Sequence, residues 1–337
     1  MSSPPKRARV VYFLGAGASK SVFPPLPLAR DLTLARLASR DEYQNHMPPV
    51  QEADQLAEFL SRQNEGEKYR DLPLEESLPI LRSLHPEEYG LVHSCLAMRL
   101  SVDDYEHRSL GEFEKWLDAV RIRGDVIITT NYDTLIEQAH ASMPPAEIRD
   151  CLHCLDFGVR AQRAHRFSYA NRWDRAPELS VLLLKLHGSV SWLFCQTCHT
   201  YALDPIWGYA PDSTARPGVY PPCPECRQIG ARRPVLVSPL KQMDLTDPAI
   251  REIWQVAERT LGEAEEIVFA GFSLNENDEN VTSLVKTAFN QGVTKRVIVV
   301  DPSPDARKNY ARVYGDLVQF AAETDWKSFL DHASYQK

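Results

Sequence analysis

The residues best suited to chemistry sit just after short apolar runs. Gly15-Ala16-Gly17-Ala18-Ser19 follows one run, Thr129-Thr130-Asn131-Tyr132-Asp133 a second, and Lys185-Leu186-His187-Gly188-Ser189 a third. Gly271-Phe272-Ser273 and Asp301-Pro302 follow two more. Gly15 and Gly17 permit a tight turn and let backbone amides approach a pyrophosphate. The third glycine of a dinucleotide fingerprint would fall at position 20, which is Lys20, so the turn alone does not decide phosphate binding. His187 is a candidate general base, because an imidazole titrates near neutrality and can take a hydroxyl proton. A lone histidine is also a common core residue; its position among the other run-end residues favours the catalytic reading. Asn131 carries both a donor and an acceptor, suited to fixing a ribose or an attacking water. Asp133 either supports Asn131, stabilises positive charge, or caps a helix beginning near Thr134. Ser273 is placed to reach a phosphate or ribose, or serves only a turn. Asp301 is placed to accept from ribose hydroxyls, or merely ends a strand before a proline.

A second constellation is made of cysteines. Cys195-x-x-Cys198 and Cys223-x-x-Cys226 are two knuckles separated by twenty-four residues. Two such pairs bring four thiolates around a tetrahedral zinc and leave no open coordination position, so the expected role is structural. Cys151 and Cys154 have no partner pair and are read as incidental thiols, with Cys95 as core filler. Paired cysteines of this kind suit metal in a reducing compartment better than disulfides, so a cytoplasmic protein is expected.

The elements that must position these residues follow from apolar patterning. Val10–Leu14, Val126–Thr129, Val181–Leu184, Val235–Val237, Ile267–Ala270 and Val297–Val300 are nearly continuous apolar runs, the mark of strands buried on both faces of a parallel sheet. Helical spacing links Phe113, Trp116, Leu117 and Val120; Ala53, Leu56, Ala57 and Leu60; and Ile250, Ile253, Ala257 and Leu261. The alternation predicts an α/β fold: a Rossmann-like parallel sheet with helices on both faces, an all-helical insertion and a small zinc-ribbon module. The expected division is a Rossmann-like domain over 8–30, 118–190 and 234–330, a helical insertion over 31–117, and the ribbon over 191–233. Ligands of such sheets bind beyond the carboxyl ends of the strands, where the run-end residues gather.

Bulk properties exclude several classes. The 337-residue chain has a net charge of −8 and no basic stripe with interleaved aromatics, so nucleic acid is not an expected partner. It has no run of eighteen apolar residues, so no membrane span is expected. The N-terminal Pro-Lys-Arg-Ala-Arg cluster is read as a solvated tail.

Taken in order, these motifs resemble the sirtuin family across roughly residues 8–325. The resemblance implies NAD as substrate and cleavage of the nicotinamide–ribose bond. By it, His187 matches the catalytic histidine, Asn131 and Asp133 match the nicotinamide-ribose pocket, and Ser273 and Asp301 fall on the adenosine side. The cofactor-binding set is then Gly15, Ala16, Gly17, Ser19, Thr130, Asn131, Asp133, Gly271, Ser273 and Asp301. The chain departs from the family's protein deacylases at Thr130, at Val22-Phe-Pro-Pro-Leu-Pro27 and at Val237-Ser-Pro-Leu-Lys241. Pro239, Lys241, the Trp254 helix, Gly271-Phe-Ser-Leu-Asn-Glu-Asn-Asp278 and the large helical insertion instead resemble the sirtuin-like branch of bacterial antiphage systems. That branch implies an NAD glycohydrolase, with a protein-lysine deacylase as the alternative and a non-catalytic NAD or ADP-ribose sensor as a third reading. Such an activity would need restraint, so a homo-oligomer or a regulatory protein partner is expected.

Overall fold

The computed structural model describes residues 10–24, 26–28, 31–39, 51–62, 66–100, 111–142, 155–158, 181–203, 222–223, 225–229, 232–237, 247–274 and 278–332. Cys151, Cys154, Pro239 and Lys241 lie outside them. The strands are β1 (Val10–Leu14), β2 (Val126–Thr129), β3 (Leu155–Asp156), β4 (Val181–Lys185), β5 (Gly188–Cys195), β6 (Tyr201–Leu203), β7 (Arg232–Leu236), β8 (Glu266–Ala270), β9 (Arg296–Val300) and β10 (Val318–Phe320). The helices are α1 (Ala16–Val22), α2 (Leu34–Leu37), α3 (Gln51–Ser61), α4 (Leu74–Leu84), α5 (Pro86–Arg99), α6 (Glu112–Arg123), α7 (Leu135–Ser142), α8 (Pro248–Glu263), α9 (Glu279–Gln291), α10 (Pro304–Tyr314) and α11 (Trp326–His332).

Seven strands form one sheet in the order β10-β9-β8-β1-β2-β4-β3, and every pairing within it is parallel. Its central strands are buried on both faces, which is why their sequences run apolar without alternation. The chain builds β2, β3 and β4 on one side of β1 and later β8, β9 and β10 on the other. The order therefore reverses between β1 and β8, the place where sheets of this class bind ligands beyond the strands' carboxyl ends.

The helices are set by their sequences. α6 buries Phe113, Trp116, Leu117 and Val120 and ends on Gly124 in the left-handed region at φ 67°. α8 starts from Asp247, whose carboxylate accepts from the Ala249 and Ile250 amides, with Pro248 at the first turn. In α3 the buried face is Ala53, Leu56, Phe59 and Leu60, whereas Ala57 faces solvent. Between α1 and β2 the described residues form helices and no strand beyond an isolated bridge from Thr33 to Pro73. Trp326 of α11 packs edge-on against Trp116 at 5.2 Å and ties the end of the chain to α6.

One expectation needs correction. Val235–Val237 does not join the parallel sheet. β7 pairs antiparallel with β5, which pairs antiparallel with β6, and the three form a separate small sheet. A three-residue apolar run reports burial but not strand direction, so its composition could not separate the two sheets. β3, β5, β6 and β10 also stand outside the expected strand set. Among the described residues no helix is long and apolar enough to cross a membrane.

Candidate functional site

Five adjacent strands, β9, β8, β1, β2 and β4, are followed directly by Asp301, Gly271, Gly15, Thr130 and Leu186 respectively, so the run-end residues do gather on one edge of the sheet. The glycines explain how the edge closes where the strand order reverses. Gly15 N–H donates to the Ala270 carbonyl at 2.9 Å and Gly17 N–H to the Gly271 carbonyl at 3.0 Å. A Cβ on Gly15 would lie 2.4 Å from the Gly271 oxygen, and one on Gly271, at φ 57°, would lie 2.1 Å from the Ala18 nitrogen. The turn after β1 and the turn after β8 thus cross backbone to backbone, and this crossing alone demands glycine at both places. α1 is short, ending at Val22 before the prolines.

Asn131 and His187 are brought together by β2 and β4. Leu186 N–H donates to the Thr129 carbonyl at 2.9 Å, extending the ladder past the strand ends. Asn131 Nδ2 donates to Ser19 Oγ at 2.9 Å, which joins the second strand end to α1. His187 is 3% exposed. Burial lowers its pKa to about 4, against a hydrogen bond to the Thr130 backbone that raises it. Its Nε2 has no hydrogen-bond partner, so the Thr130 bond is made by Nδ1–H. That fixes the tautomer: the lone pair is on Nε2. Asp278 Oδ2 stands 3.9 Å from Nε2. Asp278 was not among the residues singled out from sequence. It begins α9 as the N-cap, its Oδ1 accepting from Val281 N–H at 3.2 Å, and an Asp just before a helical pattern was the available signal.

Beneath this pair lies a second one, also missed. Lys185 Nζ donates to Glu137 Oε1 at 2.8 Å and to the Asp133 carbonyl, with Lys185 and Glu137 each only 1% exposed. Burial pushes the Glu137 carboxyl up, and the Lys185 ammonium pulls it back. The signal was a lysine closing the apolar run Val181–Leu184, which needs a buried counter-charge. Asp133 is itself buried and its Oδ1 accepts from Leu135 N–H at 3.0 Å, so it caps α7.

The remaining strand ends are less committed to the edge. Ser273 is exposed, and its carbonyl accepts from Asn309 Nδ2 at 3.3 Å. Asp301 is 6% exposed and accepts from Ser303 N–H at 2.8 Å, the turn reading of that residue; burial raises its pKa. A cavity of about 160 Å³ beside α1, lined in part by Lys20, Leu26, Asp31 and Arg99, includes neither Asn131 nor His187.

The four cysteines converge as their spacing predicts. Their Sγ atoms all lie within 4.8 Å of one another, with Cys195–Cys226 at 3.6 Å and Cys198–Cys223 at 3.5 Å. Zinc–sulfur bonds of about 2.3 Å put tetrahedral thiolates roughly 3.8 Å apart, so the set fits zinc. Both knuckles fold alike. The residue after each second cysteine is left-handed, His199 at φ 55° and Arg227 at φ 57°. Its N–H donates back to the first cysteine's carbonyl, at 2.9 and 2.7 Å. β5 runs from Gly188, next to His187, to Cys195 of the ribbon, so one strand links the sheet edge to the cysteine cluster.

Comparisons with known proteins agree with this geometry. The SIR2-like domain family matches over residues 125–206, the stretch holding Asn131, His187 and the first knuckle. Among solved structures, a Sir2 homologue variant in complex with 2'-O-acetyl ADP ribose is 16% identical with a TM-score of 0.50, covering 97% of this chain and 90% of that one. A Sir2 homologue mutant in complex with ADP ribose is 15% identical with a TM-score of 0.50 and the same coverage. Sir2 bound to acetylated peptide is 14% identical, again with a TM-score of 0.50, over 97% and 92% of the two chains. A search of curated proteins finds no match. The chain has the Sir2 fold, and its residues 125–206 are similar to the SIR2-like domain family.

Proposed function

We propose that this protein is an NAD+ glycohydrolase, cleaving the nicotinamide–ribose bond of NAD+ to release nicotinamide and ADP-ribose. The observation that carries the reading is the neutral, buried His187, its Nε2 uncommitted, beside Asn131 at the ends of adjacent strands. The leaving group is a pyridinium that departs as neutral nicotinamide, so no acid is needed. What remains is to stabilise a ribose cation and supply an oriented water. In this reading Asn131 positions ribose or water, and His187 Nε2 takes the hydroxyl proton released as water adds. An imidazole lowered to about 4 is a weak base at neutral pH. It suffices because water becomes strongly acidic as it bonds to a cationic carbon. Asp133 adds negative potential near the cation. Gly15, Ala16, Gly17, Ser19, Thr130, Gly271, Ser273 and Asp301 complete the dinucleotide site beyond the carboxyl ends of β1 and β8, and the four thiolates hold zinc away from the chemistry.

The Sir2 neighbours crystallised with acetylated peptide and with acetylated ADP-ribose support NAD chemistry on this fold. Thr130, Val22-Phe-Pro-Pro-Leu-Pro27 and Val237-Ser-Pro-Leu-Lys241 favour hydrolysis over deacylation and, with the sequence resemblance, a role in antiphage defence by NAD depletion. Such an enzyme must be restrained, by a homo-oligomer or a regulatory partner. The test is NAD consumption by the purified protein with and without an acetyl-lysine peptide. Peptide-independent ADP-ribose that disappears in His187→Ala and Asn131→Ala is expected. Peptide-dependent nicotinamide release with an acylated ribose product would make the protein a deacylase instead.

A further inference from the structure

We infer that Thr200 is a positioning residue of the cysteine cluster: its hydroxyl donates to the sulfur of Cys198 when zinc is bound and ties the two knuckles into one site. The knuckles repeat the same backbone. Cys195 N–H donates to the Thr200 carbonyl at 2.9 Å, and Cys223 N–H to the Gln228 carbonyl at 3.2 Å. The accepting residue lies five positions after the first cysteine in both turns, so Thr200 and Gln228 are equivalent places. Their side chains are not equivalent. Gln228 is exposed, whereas Thr200 is buried. Thr200 Oγ1 lies 3.0 Å from Cys198 Sγ and 3.7 Å from Cys223 Sγ, one sulfur from each knuckle. A single side chain of the first turn thus reaches across to the second.

Charge decides the direction of the bond. A zinc-bound thiolate carries no proton, so between Oγ1 and the two sulfurs only the hydroxyl can donate, and its one proton goes to the nearer sulfur, Cys198. Four thiolates around a dication leave the cluster negatively charged, and Cys195 and Cys223 are buried, so donors aimed at the sulfurs offset the cost of holding that charge away from water. Donors of this kind also orient the ligands and tune the metal's hold. The backbone that carries the hydroxyl is fixed without it. The Thr200 carbonyl is engaged by the Cys195 amide. The next residue, Tyr201, opens β6, and its hydroxyl donates at 2.7 Å to Asp247 Oδ1, the carboxylate that caps α8. The side chain can therefore be exchanged while the turn stays in place. If threonine served only to fill space or to favour the strand that follows, valine would serve as well.

The experiment measures zinc affinity of the full chain by competition with a chromophoric chelator, in the wild type, Thr200→Val, Thr200→Ala and Thr200→Ser. Valine keeps the branched shape and lacks the donor; alanine lacks the donor and is too small to press on a sulfur. Both are expected to hold zinc about 10-fold more weakly, the usual loss for a partner of a metal ligand. Serine restores the hydroxyl and should hold it as the wild type does. The same four proteins loaded with cobalt give the second readout. A thiolate that has lost a donor gives up an electron more readily, so the sulfur-to-cobalt charge-transfer band should move to longer wavelength in the valine and alanine variants and stay in place with serine. Wild-type zinc affinity in both donor-free variants would overturn the inference. So would a serine variant as weak as they are, since the methyl group would then be what matters. Weaker zinc binding with an unshifted cobalt band would mean a disturbed turn rather than a lost donor, and would also overturn it, as would a wild type that takes up no zinc. None of these readouts involves NAD, so their outcome is independent of the hydrolase reading.

Discussion

Two buried pairs lie two residues apart at the end of β4, and they are built in opposite ways. Lys185 is charged and directly bonded: its ammonium holds Glu137 Oε1 at 2.8 Å and the Asp133 carbonyl in a region closed to solvent, with Glu137 Oε2 left without a partner. His187 is incomplete: one nitrogen is bound to Thr130, the other faces Asp278 across 3.9 Å and bonds to nothing. Burying a charge is costly unless it is paired, so a direct ion pair is what a fold needs to hold a loop. Lys185–Glu137 therefore reads as the support that fixes the loop from Asn131 to Asp133, and His187 as the residue that keeps a nitrogen uncommitted.

The difference predicts that the two pairs fail differently. His187→Ala should reduce NAD turnover by about 10²- to 10⁴-fold, the usual contribution of a positioned acid–base group, with little change in melting temperature. A variant that unfolds instead would show that His187 is part of the support after all. Lys185→Met should do the reverse and destabilise the fold by about 3–5 kcal/mol, because Glu137 is left as an unpaired buried carboxyl. Adding Glu137→Gln to it should restore much of that loss. Denaturant titration of the two single variants and the double variant measures it; additive losses would mean the pair is not coupled.

Acid should separate the pairs as well. His187 has a folded pKa of about 4 against an ordinary value near 6.5, so between those limits the unfolded chain binds the extra proton. Stability is full above about pH 6.5 and declines as pH falls toward 4, by about 3 kcal/mol from this residue. Burial lowers His93 to about 3 and His140 to about 4, so both add to the same decline. His187→Gln isolates the share of His187: urea midpoints at pH 7.5 and 5 should fall less in this variant than in the wild type. Equal falls would mean that His187 is not held neutral by burial.

These contrasts also mark where the sequence was legible. Strands buried on both faces announce themselves, so β1, β2, β4, β8 and β9 and the residues that end them were readable from composition alone. The knuckles were readable because a tetrahedral metal fixes ligand number and spacing. β5 was not: Ser189 and Ser191 alternate with apolar residues, as they would on a half-exposed strand, yet both are fully buried and bond to each other at 3.1 Å. Glu137 and Asp278 were hidden for a related reason. Each meets its neighbour across the fold, Lys185 48 residues on and His187 91 residues back, and no local pattern encodes a contact of that range. Gly15 and Gly17 were noticed, but the geometry gives them a further reason, the crossing with Gly271.

The smallest effect tests how far the support reaches. Asn131 belongs to the loop that Lys185 steadies, but its side chain is held separately, by Ser19 Oγ at 2.9 Å. Ser19→Ala removes one neutral hydrogen bond and should cost about 0.5–1.5 kcal/mol of stability. If Asn131 positions ribose or water, the same change should lower kcat several-fold while leaving KM nearly unaltered, because the contact it loosens matters most as the sugar becomes cationic. A rise in KM with kcat unchanged would place Ser19 in ground-state binding of NAD. No change in either constant would show that the Asp133–Lys185 scaffold is enough to hold Asn131, so that the ion pair alone sets the geometry of the loop beside His187.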